Sequence, residues 1–282
     1  MEFMSATDLE KKIGLIAGSG QFPILFADQA KEKQFSVYAA AYIKEASPEL
    51  GDHVDKIEWF HLGQIKRLMT FFKKNGVREA VMMGAITKTK LFTDVKPDTK
   101  AISIIAKCAV THDDGILRAF ALALEKEGIA ILPSTFLLPD LLAKKGCWTK
   151  RKPSRSEKAD MDVAWNLAKE VGRLDIGQCI VMEGGSVLAV EAIDGTDATI
   201  KRGGGLGKGG AVVAKICKPN QDKRFDIPAT GIGTIATMHE SGARVLLIDA
   251  GNTVVFDKEQ MVELADKHGI CIVAREEGSP YG

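Results

Sequence analysis

The residues best suited to chemistry gather in the last third of the chain. Lys215-Ile-Cys-Lys218-Pro-Asn-Gln221-Asp-Lys-Arg-Phe-Asp226 sets cations behind an apolar run and ends on a carboxylate. Asp226 stands before Ile227-Pro228, a step whose backbone is restricted to extended geometry. A carboxylate presented so stiffly beside Lys215 and Lys218 could ligate a metal or position a water, where a solvated acidic loop residue would need no such frame. Upstream, Glu191-Ala-Ile-Asp-Gly-Thr196-Asp197 places a carboxylate at the end of an apolar strand, with further side-chain oxygens around a turn. That donor set can suit a hard divalent cation, though taken alone an ordinary Asp-Gly turn explains it more simply. Lys201 to Gly210 then packs six glycines and three cations into ten residues. It reads as a close approach to an oxyanion or as a surface loop. The GxxxxGK[ST] pattern of a phosphate-binding loop is not met, because Ala211 and Val212 follow.

A second candidate lies near the start. Gly18-Ser19-Gly20-Gln21-Phe-Pro23 joins a short apolar strand to a helix, where backbone N–H groups can meet a phosphate at the positive helix end. Pro23 occupies the place of the third glycine of a dinucleotide fingerprint, so a tight turn explains the loop as well as a cradle does. At His112-Asp113-Asp114-Gly-Ile-Leu-Arg118 two carboxylates open a helix. They read as a cap that suits the dipole or as a polar cluster gripping a sugar or a metal-bound water.

The elements that must position these groups fall into two patterns. Through about residue 142, apolar strands at 12–17, 35–42, 79–84 and 129–132 alternate with helices from residue 24, over 62–75 and over 114–127. That is the grammar of a Rossmann-like α/β domain with a parallel sheet. From residue 143, after a basic linker at 150–158, a helix over 158–172 precedes a β-rich run. It holds a hairpin about Glu183-Gly-Gly-Ser186, a strand at 211–216, and strands at 244–248 and 252–256 about a turn. A helix over 259–268 and a strand at 270–274 close a mixed α+β domain. Lys66-Arg-Leu-Met-Thr-Phe-Phe-Lys-Lys74 could touch a membrane, yet its spacing favours a core-facing helix with snorkelling cations.

Composition narrows the partners. Lys plus Arg number 38 against 37 Asp plus Glu, so the net charge of +1 excludes a generalised nucleic-acid binder. Apolar residues at 45% and charged residues at 27% describe an ordinary folded chain, not a disordered one. No apolar run nears the roughly 18 residues needed to span a bilayer, and no secretory signal is read. Five cysteines with no CxxC pair read as small hydrophobes in a reducing cytoplasm, and the scattered histidines disfavour a histidine-rich metal centre.

Taken in order, the motifs resemble the LpxI-type UDP-2,3-diacylglucosamine pyrophosphatases of lipid A biosynthesis, from about Lys12 to Ala274. The matching text is Gly14 to Pro23, Asp113-Asp114 with Leu117-Arg118, Leu138 to Leu142, Asp175 to Gln178, Ala189 to Asp197, Lys218 to Asp222 and Asp226-Ile-Pro228. His112 departs from a common glycine, and the Gly203 to Gly210 run is richer in glycine than many relatives. The resemblance implies an N-terminal domain and a C-terminal catalytic domain, with hydrolysis to lipid X (2,3-diacylglucosamine 1-phosphate) and UMP. Attack at the α-phosphorus with Mg²⁺ or Mn²⁺ is implied too. It maps the essential family aspartate to Asp226, which would ligate the metal or orient the water, with Glu191 and Asp197 as further ligand candidates. Lys215 and Lys218 then steady phosphoryl charge. Gly18, Ser19, Gly20, Gln21, Asp113, Asp114, Arg118, Thr196, Gln221 and Thr230 become substrate-binding candidates. A cytoplasmic protein in peripheral contact with the inner membrane follows from the lipid substrate, and a homodimer stays open. The rival readings are a nicotinamide-dependent oxidoreductase and a non-catalytic nucleotide or lipid carrier.

Overall fold

A computed structural model describes residues 11–86, 95–107 and 113–278. The chain forms two compact units. The first runs to Leu138 and takes back Asp222–Asp226; the second holds Pro139–Gln221 and resumes at Ile227.

In the first unit β1 (Lys11–Ala17), β2 (Phe35–Tyr42), β3 (Lys56–Phe60), β4 (Glu79–Met83) and β5 (Ala130–Ile131) form one sheet. Its order is β3-β2-β1-β4-β5, with every neighbour parallel. Central β1 is buried continuously from Ile13 to Ala17, as a strand covered on both faces must be. Helix α1 (Phe22–Glu32) packs on β1 and β2. α2 (Ile65–Lys74), α3 (Thr99–Lys107) and α4 (Asp113–Lys126) contribute Leu68, Met69, Phe72, Ile104, Phe120 and Leu124 to one core. Strand β3 went unread because Lys56 and Glu58 break its apolar run. In α2 the apolar residues Leu68, Met69, Phe71 and Phe72 are buried, while Arg67 pairs with Glu58 and Lys73 with Glu127. The helix faces the core, as the spacing favoured.

In the second unit β6 (Gly146–Cys147), β7 (Cys179–Glu183), β8 (Ser186–Val190), β9 (Val212–Lys215), β11 (Val245–Asp249) and β13 (Cys271–Arg275) build a sheet ordered β6-β13-β11-β9-β7-β8. The three middle neighbours β13, β11 and β9 are parallel, and β6, β7 and β8 run antiparallel to their neighbours. Alternate strand residues feed two cores. Ile180, Val212, Leu247 and Cys271 meet Met161, Ala164 and Trp165 of α5 (Arg155–Arg173). Val181, Val213, Leu246 and Ile272 meet Ile200 of α6 (Thr196–Leu206), Met238 of α7 (Ile232–Ser241) and Met261 of α8 (Lys258–His268). The strands expected on either side of the Asp249 turn do not pair with each other. Instead β12 (Val254–Val255) joins β10 (Ala229–Thr230) in a separate two-stranded sheet.

Two loops read from the sequence are ordered elements. The basic stretch at 150–158 is no linker: Ser154 caps α5 in a capping box with Glu157, and Arg151 pairs with Glu157. The first three glycines of the run, Gly203 to Gly205, lie in α6. A Cβ at Gly203 would stand 2.5 Å from that of Val181, and one at Gly204 would stand 2.5 Å from the Ser241 carbonyl oxygen. These glycines exist for close packing of a helix on β7 and α7. Each interior glycine costs a helix about 1 kcal/mol, which is why the run resembles a loop when read without its neighbours. The hairpin at Glu183–Ser186 is present, with Gly184 and Gly185 both at positive φ and both amides held at 2.8 Å by the buried carboxylate of Asp160. Among the described residues no helix is long and apolar enough to cross a membrane.

Candidate functional site

In the first unit, the strand order reverses beside β1, so the carboxyl ends of β1 and β4 mark the switch point where open α/β sheets bind ligands. The Gly18 amide donates to Met83 O and the Ser19 amide to Ala85 O, both at 2.8 Å. The Ser19 hydroxyl donates to Ala85 O as well, at 2.8 Å. Cβ atoms at Gly18 or Gly84 would lie 2.5 Å from a backbone oxygen of the facing loop. The first glycine therefore serves loop-to-loop approach, and the amides of Gly18 and Ser19 are already spent. Gly20, exposed at φ +94° with nothing within 4 Å of its missing side chain, leaves open space ahead of α1. Gln21 is the N-cap of α1 without a side-chain capping bond. Asp113 and Asp114 open α4; their side chains, and His112, lie outside the described residues.

Arg118 of α4 approaches Asp222 at 3.9 Å. Arg224 grips Asp222 through Nε at 2.9 Å and Nη2 at 2.7 Å, and its Nη1 reaches Glu125 of α4 at 2.6 Å. Phe225 packs against the first unit's core. Hydrogen bonding from Arg224, ahead of the burial that opposes it, holds the Asp222 carboxyl below its usual range. The segment ends at Asp226, whose amide donates to Asp222 O at 3.0 Å. Asp226 is half-buried, and its carboxylate has no hydrogen-bond or ion-pair partner among the described residues. Arg224, the anchor of this arrangement, carried no signal in sequence beyond its charge.

In the second unit, Lys215 ends β9 as a buried cation, and its ammonium donates to Ala229 O at 2.5 Å. Desolvation lowers its pKa, opposed by the fields of Cys179, Glu191 and Asp197. Buried Glu191 accepts from the Gln178 amide at 3.1 Å and from the Thr196 hydroxyl at 3.0 Å. Asp197 is exposed in the first turn of α6. The Asp194-Gly195 turn is an ordinary one, with Asp194 accepting from the Ala192 amide at 3.1 Å. Lys218 donates to Asp175 at 2.7 Å, and its amide donates to Gln221 at 3.0 Å. Lys169 joins buried Asp249 at 2.9 Å and the Cys217 carbonyl at 3.3 Å, fixing the turn that carries Lys218 and Gln221.

Buried polar atoms without partners are rare in folded proteins. Among the described residues they include Gln178 Oε1, Gln221 Nε2 and Thr230 Oγ1. Gln178 lies beside β9 through the bond from the Ile216 amide, and Thr230 follows the carbonyl that Lys215 holds. Lys215, Gln221 and Thr230 thus offer buried donors suited to an oxyanion. Sequence reading missed Gln178 and Asp175 as individual residues, although both lie in the Asp175-to-Gln178 stretch. Among the described residues no three carboxylate, imidazole or thiol groups converge to hold a cation. Within the second unit both Glu191 oxygens are already engaged, by the Gln178 amide and the Thr196 hydroxyl. Asp226, half-buried, and Asp197, exposed, have no side-chain partner among the described residues.

Known families account for both units. The model of the LpxI N-terminal domain matches residues 12–141, and that of the LpxI C-terminal domain matches residues 144–273. The chain belongs to the LpxI family. A UDP-2,3-diacylglucosamine pyrophosphatase LpxI of Caulobacter vibrioides is 30% identical over 276 residues, covering 93% of this chain and 97% of the relative. Among solved structures, a biotin carboxylase domain of 2-oxoglutarate carboxylase from Hydrogenobacter thermophilus matches 62% of this chain and 35% of its own. Its identity is 15% and its TM-score 0.27. A phosphoribosylglycinamide synthetase from Anaerococcus prevotii matches 68% of this chain and 42% of its own, at 12% identity and TM-score 0.27. Scores so low carry no argument.

Proposed function

We propose that the protein hydrolyses UDP-2,3-diacylglucosamine to 2,3-diacylglucosamine 1-phosphate and UMP, with water attacking the α-phosphorus. Its family makes it an enzyme of lipid A biosynthesis, a hydrolase of the pyrophosphatase kind. The observation that carries the residue assignment is Asp226: a half-buried carboxylate, unpaired among the described residues, on a segment whose Asp222 and Arg224 are engaged in anchoring it. A carboxylate so held would accept a hydrogen bond from the attacking water and orient it, or serve as a hard-oxygen ligand.

Lys215 supplies positive charge for a phosphoryl oxygen from a dry position, where it is worth more than in water. Thr230 and the Gln221 amide supply neutral donors, and Lys218, shared with Asp175, offers a second cation. The leaving sugar phosphate has a second pKa of about 6 and departs at neutral pH without protonation, so the chemistry asks only for help to the water. Mg²⁺ or Mn²⁺ would offset phosphate charge and polarise the phosphoryl oxygen. Mg²⁺ is usually held by one or two carboxylates together with substrate phosphates, and Asp226 would be such a carboxylate. The acyl chains supply about 0.8 kcal/mol per buried methylene, and the lipid substrate brings the protein to the membrane that holds it.

Incubation with UDP-2,3-diacylglucosamine in ¹⁸O-water, with and without EDTA, tests the proposal. Label in UMP, lost with chelation, is the expected result. Label in the sugar phosphate overturns the site of attack, full activity in EDTA overturns the cation, and binding without UMP release overturns hydrolysis itself.

A further inference from the structure

We infer that Cys147 and Cys271 form a reversible dithiol–disulfide site at the edge of the second unit's sheet. The two residues are 124 positions apart in sequence, yet their sulfur atoms stand 3.6 Å from each other. Cys147 lies on β6, the two-residue edge strand, and Cys271 on its antiparallel neighbour β13. Nothing in the cysteine spacing announced the pair.

The two thiols differ in a way that assigns their roles. Cys147 is half-buried and open to a small oxidant, whereas Cys271 is buried. Burial and the neighbouring Cys147 push the Cys271 thiol up to about 12. Beside them stands Arg151, whose Nη2 pairs with Glu157 at 2.5 Å while its Nη1 is buried with no hydrogen-bond partner. The Cys147 sulfur itself contacts the Arg151 carbonyl at 3.7 Å. Exposure decides the order: a peroxide reaches the half-buried Cys147 before the buried Cys271, so Cys147 is the first to react.

With a peroxide as oxidant the balance is simple. The Cys147 sulfur attacks one peroxide oxygen, the O–O bond breaks, and a sulfenic acid and one water result. The Cys271 sulfur then displaces that oxygen, the S–S bond forms, and the Cys271 proton leaves in a second water. Two thiols are oxidised and one peroxide is reduced to two waters.

Register decides how firmly such a bond would hold. Cys147 opposes Val273, so the thiols meet on a diagonal. Diagonal neighbours lie roughly 7–8 Å apart, at the limit of what a disulfide spans. Closure must draw the short β6 along its neighbour, and strained disulfides are the readily reduced ones. The site is therefore a reversible one and not a structural staple.

The test treats the intact protein with hydrogen peroxide, alkylates remaining thiols after unfolding, and maps the peptides by mass. The expected product has lost two hydrogens, carries one cross-link between Cys147 and Cys271, and reverts with reduced glutathione. Cys147→Ser should abolish the cross-link. A sulfinic acid at Cys147 without cross-linking, a bond involving any other cysteine, or thiols that survive treatment would each overturn the inference. The wild-type map decides the matter even if Cys271→Ser fails to fold.

Discussion

Arg224 holds Asp222, two residues before it, by two hydrogen bonds of 2.9 and 2.7 Å, and the same guanidinium reaches Glu125 at 2.6 Å. One cation thus uses up one carboxylate of its own segment and fastens that segment to α4. Asp226 is left as the segment's other carboxylate, without such a partner among the described residues.

Asp226→Ala should lower turnover by about 10²–10⁴-fold, the usual contribution of a positioned acid–base group. Because its side chain anchors nothing, the melting temperature should stay close to wild type. UMP release and a thermal melt on the same preparation check both parts.

The Arg224–Asp222 pair sets a pH dependence. The folded-state pKa of Asp222 is depressed below the ordinary value of 3.8. The unfolded chain therefore takes up the proton first as pH falls. The pair's contribution is present above about pH 4 and is lost as pH drops through the lower folded value. Melts at pH 6 and pH 3 should show a smaller acid-induced fall in Arg224→Met than in wild type.

Glycines of α6 should respond oppositely to alanine. Gly203→Ala drives a methyl into Val181 and should cost about 1–3 kcal/mol. Gly205→Ala, on the exposed face with nothing within 4 Å, should stabilise by up to about 1 kcal/mol through helix propensity. Urea denaturation of both variants would read the two signs.

Asp160→Ala removes the carboxylate that holds the Gly184 and Gly185 amides at 2.8 Å. A loss of about 1–3 kcal/mol is expected. Asp160→Asn, which keeps one acceptor oxygen, should lose less. Chemical denaturation would compare them.

Much of the scaffold was legible because its signals are local. The buried runs of β1, β4 and β11, the Gly-Gly hairpin and the core-facing spacing of α2 all announce themselves within a dozen residues. What stayed hidden depends on distant neighbours. The glycines of α6 make sense only against Val181 and Ser241. The Gly18 and Ser19 amides look available until Met83 and Ala85 claim them. Asp226 and Lys215 could be picked out by charge and by the proline step. Gln178 could not, since an uncharged amide earns notice only when burial leaves its oxygen without a donor.

The short excursion at Asp222–Asp226 bears on how the protein can be dissected. A fragment cut after Leu138 would lack the partly buried Phe225 that packs against its core, and the complementary fragment would carry that aromatic ring away from the cluster it covers. Neither half is a faithful stand-in for its part of the whole, so truncation experiments should graft or delete those five residues deliberately.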